Sequence, residues 1–188
     1  GRNVQKFEVG DDVLAQASGS LSSLVTIPFH FVAHKPKHLS FEEAATIPAV
    51  FLTVQYAFYH LAKLTSKDRI LIHSAAGGVG MAAIQMAKSA GAEIFATAGS
   101  PEKREMLKSF GIQHRFDSRN LDFAQQIIEI TNGEGVDVVL NSLTGEFIPK
   151  SLSVLKNGGR FLEIGKRDIW THEQVSKLNK EINYSIIA

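Results

Sequence analysis

Residues 69–90, RILIHSAAGGVGMAAIQMAKSA, decide the fold of this chain. The stretch opens with a short apolar run, residues 69–73, whose β-branched side chains predict a buried strand. Its second half has small and apolar residues every three or four positions, which predicts a helix. Between the two, Ala75, Gly77 and Gly80 follow the G-x-G-x-x-G spacing, with alanine in the first place. A strand, a glycine turn and a helix in this order are typical of the first βα unit of a dinucleotide-binding fold.

The glycine turn predicts a site for a diphosphate. Gly77 lets the backbone come close to a pyrophosphate, and Gly80 lets the helix pack tightly on the strand. The N-terminus of a helix also supplies unpaired N–H groups and about half a positive charge. We therefore predict cofactor binding by the residues of this turn, which are Ala75, Gly77, Gly78, Val79 and Gly80. A tight turn without a ligand is the alternative that the spacing alone leaves open.

Composition and charge limit the classes of function. Of the 188 residues, 44% are hydrophobic and 21% charged, which predicts a soluble globular protein with a proper core. A net charge of +1 without an arginine-rich run gives no reason to expect nucleic acid as a partner. The sequence has no apolar stretch of the ~20 residues that span a bilayer, and it has no cysteine for disulfides or thiolate chemistry. We expect a cytoplasmic protein that binds neither membranes nor nucleic acid.

Strand and helix patterns alternate from the glycine turn to the end of the chain. Such alternation predicts an α/β fold with a doubly wound parallel sheet. The predicted strands after the first are residues 92–100, 114–118, 135–142, 160–168 and 184–188. The predicted helices are residues 79–90, 101–111, 121–131, 145–159 and 172–182.

The residues before the glycine turn follow a different pattern. Two short β-like runs, residues 12–17 and 21–27, predict the closing strands of a domain that begins upstream. Ser40 and Glu43 have the spacing of a capping box, and an apolar helix is expected over residues 49–64 after an interruption at Pro48. His30, His34 and His38 have metal-ligand spacing, but Pro28 and Pro36 exclude the helix that would bring them together, so no metal site is predicted.

The tip of the second strand indicates which cofactor is preferred. In this fold an acidic residue at that tip accepts a hydrogen bond from the ribose of NAD, whereas cations accommodate the 2′-phosphate of NADP. Residues 97–100 contain no acid, Ser100 is small and polar, and Lys103 and Arg119 follow within reach. We therefore predict NADPH as the cofactor. Ordinary surface cations are the alternative for Lys103 and Arg119.

With these residues in hand, the chain resembles the medium-chain reductase superfamily and, more closely, the enoyl reductase domains of type I polyketide and fatty acid synthases. The resemblance rests on VGDDVLA, LSFEEAATIPAVFLTVQYAF, ILIHSAAGGVGMAAIQMAK, ATAGSPEKREML, GVDVVLNSLTGE and GGRFLEIGKRDI. It implies that residues 1–40 are the C-terminal remnant of a β-rich, GroES-like substrate-side domain. Residues 41–188 are then an NADP-binding Rossmann domain cut near its end. The opening without methionine and the apolar close NYSIIA agree with a piece of a longer protein, which we expect to be inactive alone.

The resemblance also implies a reaction, the NADPH-dependent reduction of an α,β-unsaturated thioester on an acyl carrier protein. Hydride goes to the β-carbon and a proton to the α-carbon. The proton donor implied is Lys166 of the GK-x-D motif, which follows a strand at the carboxyl edge of the sheet. Residues Asn141, Ser142 and Gly165 should line the nicotinamide, and Thr53 either approaches it or packs in the core. Asp168 is left out of catalysis, and His73 is expected to pack internally.

Partners and competing functions follow from the same resemblance. Neighbouring synthase domains are expected, with a possible homodimer in the full-length protein. Where zinc-dependent relatives have a ligand cysteine, this chain has about Ala49, which implies the zinc-free branch. The alternatives are a stand-alone quinone or enone reductase and a non-catalytic NADP-binding domain.

Overall fold

The computed structural model describes residues 4–187. Residues 1–3, in the predicted first domain, and residue 188, in the predicted last strand, lie outside the described residues. The strands are β1 Val13–Ala15, β2 Val32–His34, β3 Arg69–Ile72, β4 Glu93–Ala98, β5 His114–Asp117, β6 Val136–Asn141, β7 Leu155–Glu163 and β8 Ile182–Ile186. The α-helices are α1 Phe41–Ala45, α2 Ile47–Gln55, α3 Gly78–Ala90, α4 Pro101–Ser109, α5 Asp122–Ile130, α6 Phe147–Ser153 and α7 His172–Ser176. A 3₁₀ turn covers Phe29–Phe31 and a π-helix covers Tyr56–Ala62.

The chain packs as two compact units, one up to Leu52 and one from Thr53. In the first unit β1 pairs antiparallel with β2, so that Val13 faces His34. Ser40 caps α1 as predicted, because its side chain accepts from the Glu43 N–H while the Glu43 carboxylate accepts from the Ser40 N–H. Pro48 lies in the first turn of α2, where its missing N–H costs no hydrogen bond.

The strand predicted over residues 21–27 is wrong. This segment is irregular, and Leu21 and Leu24 are almost fully exposed. The partner of β1 is β2 instead, which lies next to the 3₁₀ turn that contains His30. A β-like run forms a strand only where it finds a partner, and β2 takes that place.

The second unit contains one six-stranded parallel sheet in the order β5-β4-β3-β6-β7-β8. The first strand of the unit, β3, lies inside the sheet; the chain adds β4 and β5 on one side and β6, β7 and β8 on the other. The predicted doubly wound sheet is therefore confirmed. The order reverses between β3 and β6, and ligands of such sheets bind at the carboxyl edge beside that point.

The sheet is buried between its helices. Three consecutive side chains of β3, Ile70, Leu71 and Ile72, have no exposed surface. Phe95, Phe123 and Phe161 are equally buried and join the main hydrophobic cluster. Of the three, Phe95 belongs to β4, whose carboxyl end forms part of the site, and Phe123 packs helix α5 into the same cluster.

The boundary between α6 and β7 differs from the prediction of one helix over 145–159. The helix ends at Ser153, and a strand begins at Leu155 and runs to Glu163. The apolar residues here would be buried in a helix or in a strand, so their periodicity does not distinguish the two. The pairing of Leu155 with Val136 of β6 favours the strand. Pro149 lies in the first turn of this helix, where no intrahelical donor is needed.

Two other helices also differ from the sequence pattern. The last helix, predicted over 172–182, ends at Ser176, and Lys180 then donates to the backbone oxygens of Ser153 and Leu155. The expected α-helix over 49–64 begins at Ile47 and becomes a π-helix from Tyr56. It ends where Arg160 donates to the carbonyl of Ala62 at 2.7 Å.

Candidate functional site

A cavity of about 250 Å³ opens at the carboxyl edge of the sheet, beside the point where the strand order reverses. It is formed by the ends of β3 and β4, the start of α4 and the turns that follow β5 and β6. Its lining residues are Ser74, Ala76, Gly77, Ala98, Gly99, Ser100, Lys103, Ser118, Arg119 and Leu143.

The turn after β3 forms one wall of this cavity. Ser74 has a left-handed backbone, with φ of 50°, and its carbonyl accepts from the Gly77 N–H at 2.9 Å. Helix α3 begins one residue later, at Gly78. The unpaired N–H groups at the start of this helix therefore lie directly after the loop that Ser74 and Gly77 form. This arrangement suits a diphosphate.

The two glycines of the turn have different surroundings. A Cβ atom at Gly77 would lie 3.2 Å from the Ser74 carbonyl oxygen, which is tight. A Cβ atom at Gly80 would lie 2.5 Å from the Ala75 Cα, which the backbone cannot accommodate. Gly77 therefore borders the ligand space, whereas Gly80 allows the helix to pack on the turn.

The tip of β4 forms the opposite wall. Ser100 caps α4 by accepting from the Lys103 N–H, and Pro101 occupies the first helical position. Arg119 reaches across from the turn after β5, and its Nε lies 3.5 Å from the Gly99 carbonyl oxygen. The ten lining residues include two cations, Lys103 and Arg119, and no acid. The cavity is therefore suited to an anionic group.

Among the predicted cofactor residues, the structure brings Gly77, Ser100, Lys103 and Arg119 together in this cavity. The residues Ser74, Ala76, Ala98, Gly99, Ser118 and Leu143 line it but were not predicted. The sequence signal for them is their position directly at strand ends, since β3, β4, β5 and β6 all end at this edge.

The other predicted residues lie outside the lining. Ala75 is buried and donates its N–H to the Thr97 carbonyl at 2.9 Å, while Gly78, Val79 and Gly80 belong to the first turn of α3. Ser142 contacts a residue of the lining, because its hydroxyl donates to the Ser74 hydroxyl at 3.0 Å. Thr53 lies in α2 and is half-buried.

Asn141 is a supporting residue rather than a lining one. Its side chain is fully buried, and its Nδ2 donates to Glu163 at 2.8 Å and to the Leu143 carbonyl at 2.9 Å. Its Oδ1 accepts from the Leu143 N–H. The side chain thereby fixes the turn that places Leu143 in the cavity wall.

Glu163 is a buried acid that the sequence reasoning missed. It is fully buried at the end of β7, and its carboxylate accepts from Asn141, from the Gly165 N–H at 2.6 Å and from the Tyr184 hydroxyl at 3.1 Å. Burial raises the pKa of this carboxyl, although the three donors oppose the shift. The available signal was an acid inside the mostly apolar strand sequence RFLEIG.

Lys166 follows this acid by three residues and is exposed. Its Nζ donates to the Ile187 carbonyl at 3.2 Å, which holds the ammonium beside the end of β8. Gly165 is buried next to it, and Asp168 accepts from the Gly145 N–H at 3.1 Å. Asp168 is therefore engaged with the loop after β6.

His73 lies directly before the diphosphate turn and is 3% exposed. Burial lowers the pKa of its imidazole to about 3, so the ring is neutral at physiological pH. It meets the ring of Phe123 edge-on at 5.1 Å. The expectation that it packs internally is confirmed.

Within residues 4–187, no group of three or more His, Asp or Glu side chains is placed to hold a metal ion. The same part of the chain contains no helix long and apolar enough to cross a bilayer.

The amino-acid sequence of this chain is similar to those of known proteins. Residues 78–185 match the family model of zinc-binding dehydrogenases. The phthioceranic/hydroxyphthioceranic acid synthase of Mycobacterium tuberculosis is 47% identical over the whole chain, which spans only 9% of that protein. Further curated matches are highly reducing polyketide synthases, of which the chain likewise spans less than a tenth.

Solved structures extend the comparison. The CurK enoyl reductase is 54% identical and superimposes with a TM-score of 0.97 over the whole chain, which covers 57% of it. The nucleotide-binding subdomain of the PpsC enoyl reductase domain from Mycobacterium tuberculosis is 46% identical, with a TM-score of 0.69, over 74% of this chain and 79% of that one. Escherichia coli quinone oxidoreductase in complex with NADPH is 28% identical, with a TM-score of 0.89, over the whole chain and 59% of that protein. The chain therefore belongs to the zinc-binding dehydrogenase family and, within it, to the enoyl reductase domains of polyketide synthases.

Proposed function

We propose that this chain binds NADPH at the cavity between the diphosphate turn and the tip of β4, and that it forms the cofactor side of an enoyl-thioester reductase. The observation that carries the proposal is the meeting of Gly77, Lys103 and Arg119 in one cavity whose lining has no acid. An acid at the strand tip would repel a 2′-phosphate, and two cations attract it. The quinone oxidoreductase that was solved with NADPH has the same fold, which supports this cofactor.

We assign the predicted residues to successive parts of the cofactor. The first turn of α3, Gly78, Val79 and Gly80, would hold the diphosphate with its backbone N–H groups, while Ala75 and Gly77 would shape the turn around it. Ser100, Lys103 and Arg119 would hold the 2′-phosphate. Ser142 and Leu143, which continue from β6 towards Ser74, would border the nicotinamide with Asn141 and Gly165 behind them. Thr53 is proposed to approach the nicotinamide or its ribose.

The reaction proposed is reduction of the α,β-double bond of an enoyl thioester that an acyl carrier protein presents. NADPH, when bound, supplies the hydride that the β-carbon receives. Electrons of the double bond then move towards the thioester oxygen, and the α-carbon needs a proton. The Lys166 ammonium lies at the carboxyl edge of the sheet, where it can stabilise the enolate charge and donate that proton.

Zinc has no role in this proposal, although the family name includes it. Ala49, which matches the place of a ligand cysteine in zinc-dependent relatives, has only a methyl group, and the donor set of the described residues does not fit a metal. We therefore assign the stabilisation of the negative charge that develops on the substrate to Lys166 and to backbone N–H donors.

Turnover by the enoyl reductase domain that contains this chain tests the proposal. Oxidation of NADPH is followed with a crotonyl thioester on a carrier protein and, separately, with a benzoquinone. We expect the thioester to be reduced to the butyryl product and the quinone to react slowly. Preferred reduction of the quinone would favour a quinone reductase, and NADPH binding without any turnover would favour a non-catalytic domain.

A further inference from the structure

We infer that His73 is a positioning residue for the diphosphate turn. Through Thr97 it holds the N–H of Ser74, and through Ser151 it connects this turn to helix α6. The inference rests on the proposed function, because it assigns to His73 the task of shaping the turn that would bind NADPH.

The imidazole of His73 bridges two elements that are distant in sequence. Its Nδ1 lies 3.0 Å from the Thr97 hydroxyl in β4, and its Nε2 lies 2.7 Å from the Ser151 hydroxyl in α6. Thr97 and Ser151 have no exposed surface. Water therefore does not compete for these hydrogen bonds, and their directions are set by the protein alone.

The direction of each hydrogen bond follows from one carbonyl group. The Ser151 hydroxyl donates to the Phe147 carbonyl at 2.7 Å, because a carbonyl oxygen only accepts. With its single proton used, the Ser151 oxygen must accept from His73, which places the imidazole proton on Nε2. A neutral imidazole has one N–H, so Nδ1 accepts, and the Thr97 hydroxyl is its donor.

The Thr97 hydroxyl oxygen then accepts from the Ser74 N–H at 3.3 Å. The result is one directed chain from Ser74 through Thr97, His73 and Ser151 to Phe147. Reversal of any member would place two donors or two acceptors against each other.

This series of hydrogen bonds, from Ser74 to Phe147, holds a strained part of the turn. Ser74 has the left-handed φ of 50° that residues other than glycine rarely adopt. Thr97 fixes the turn twice, with its hydroxyl on the Ser74 N–H and with its carbonyl on the Ala75 N–H at 2.9 Å. Because His73 fixes the rotamer of Thr97, it controls the shape of the turn without lining the cavity.

Paired substitutions separate the two sides of the imidazole. In His73→Asn the amide oxygen stands near Nδ1 and still accepts from Thr97, whereas in His73→Gln the amide nitrogen stands near Nε2 and still donates to Ser151. Thr97→Val removes the hydroxyl at constant shape, and Thr97→Ser keeps it. We expect NADPH affinity to fall about tenfold, as for one lost hydrogen bond, in His73→Gln and Thr97→Val. His73→Asn and Thr97→Ser should stay within about twofold of the parent chain, a difference of ~0.4 kcal/mol.

Binding is measured by fluorescence titration, at a temperature where thermal unfolding shows every variant to be folded. Equal affinities in Thr97→Val and Thr97→Ser, or a larger loss in His73→Asn than in His73→Gln, would overturn the inference. If one of the four variants does not fold, the other residue's pair still decides.

The hydrogen-bond chain is also read without nucleotide. Nitrogen NMR of the parent protein should show the His73 proton on Nε2, and amide hydrogen exchange at Ser74 should accelerate in Thr97→Val but not in Thr97→Ser. A proton on Nδ1 refutes the chain. If the NMR result is as expected but the parent protein has no affinity for NADPH, it is the proposed function that fails.

Discussion

Oε1 of Glu163 lies 2.6 Å from the backbone nitrogen of Gly165, so the acid that ends β7 also binds the first residues of the loop that follows it. The second oxygen accepts from Asn141 and Tyr184, so all three groups that face this carboxylate are donors. A carboxylate satisfies three donors, whereas a neutral amide of the same shape cannot. The loop containing Lys166 and the turn containing Leu143 are therefore fixed by one buried carboxyl group.

Glu163→Gln should lower the free energy of unfolding by about 1–3 kcal/mol, because its amide nitrogen must face a donor. Denaturant titration measures the loss, with the exposed Glu146→Gln as the matched control, which should be within ~0.5 kcal/mol of the parent chain. An unchanged free energy of unfolding in Glu163→Gln would show that the three donors do not need a carboxylate.

Cofactor preference is expected to depend on Lys103 and Arg119. The parent chain should bind NADPH at least about tenfold more tightly than NADH, since charge-assisted phosphate contacts contribute ~1.5–3 kcal/mol. Lys103→Ala with Arg119→Ala should bring the two affinities close together, as measured by titration with each nucleotide. Lys108→Ala with Lys177→Ala removes the same charge from exposed positions and should leave the ratio unchanged. Equal affinities in the parent chain contradict the prediction.

A side chain at Gly77 should disrupt NADPH binding, whereas a side chain at Gly80 should lower the stability of the fold. Gly77→Val should abolish NADPH binding while the protein stays folded, because the side chain fills the space of the diphosphate. Gly80→Ala should lower the free energy of unfolding by about 1–3 kcal/mol, since the new methyl group meets the Ala75 backbone. Thermal unfolding and nucleotide titration of both variants separate the effects. Retained NADPH affinity in Gly77→Val would place the diphosphate elsewhere.

Lys166→Ala should slow enoyl reduction about 10²–10⁴-fold in the enoyl reductase domain that contains this chain, because a positioned proton donor acts on the transition state. NADPH affinity should stay nearly the same. Single-turnover NADPH oxidation and proton incorporation at the α-carbon are the measurements, and the neighbouring Arg167→Ala is the control for loss of an exposed charge. If Lys166→Ala has the rate and stereochemistry of the parent, another group donates the proton.

Stability should fall in acid because of His73. Its pKa is lowered from 6.5 to about 3 by burial, so below about pH 6.5 the unfolded chain takes up a proton that the folded chain does not. The free energy of unfolding therefore decreases as the pH falls from about 6.5 towards 3, and this group alone removes about 2 kcal/mol by about pH 5. Denaturant titrations of the parent and of His73→Gln isolate this contribution from that of the carboxylates. Parallel pH profiles for the two proteins would contradict the prediction.

Local signals in the sequence predicted most of the second unit. The apolar run before the glycine turn and the helical periodicity after it each determine structure within a few residues, and both predictions were confirmed. The recognition of an enoyl reductase domain rested on longer motifs and was also confirmed by the comparisons.

The parts that the sequence did not predict depend on contacts between distant residues. The start of β7 is decided by its pairing with Val136, and the π-helix ends at a carbonyl that Arg160 binds from almost a hundred residues away. The sequence around Glu163 and His73 does not indicate that these side chains form hydrogen bonds with Tyr184 and Ser151, which come from distant positions in the chain. The roles given to Lys166 and Thr53 stay predictions.

The contact between Arg119 and Gly99 couples two positions at the proposed site of the 2′-phosphate. A side chain at position 99 would begin 2.8 Å from Nε of Arg119, so the place of an NAD-type acid is already filled by a cation. Gly99→Asp in the parent background would displace the guanidinium or pair with it, and neither cofactor would gain. Loss of Arg119 first would empty the space and make the same aspartate useful. If the cavity binds NADPH as proposed, the effects of substitutions at positions 99 and 119 on cofactor affinity should therefore not be additive.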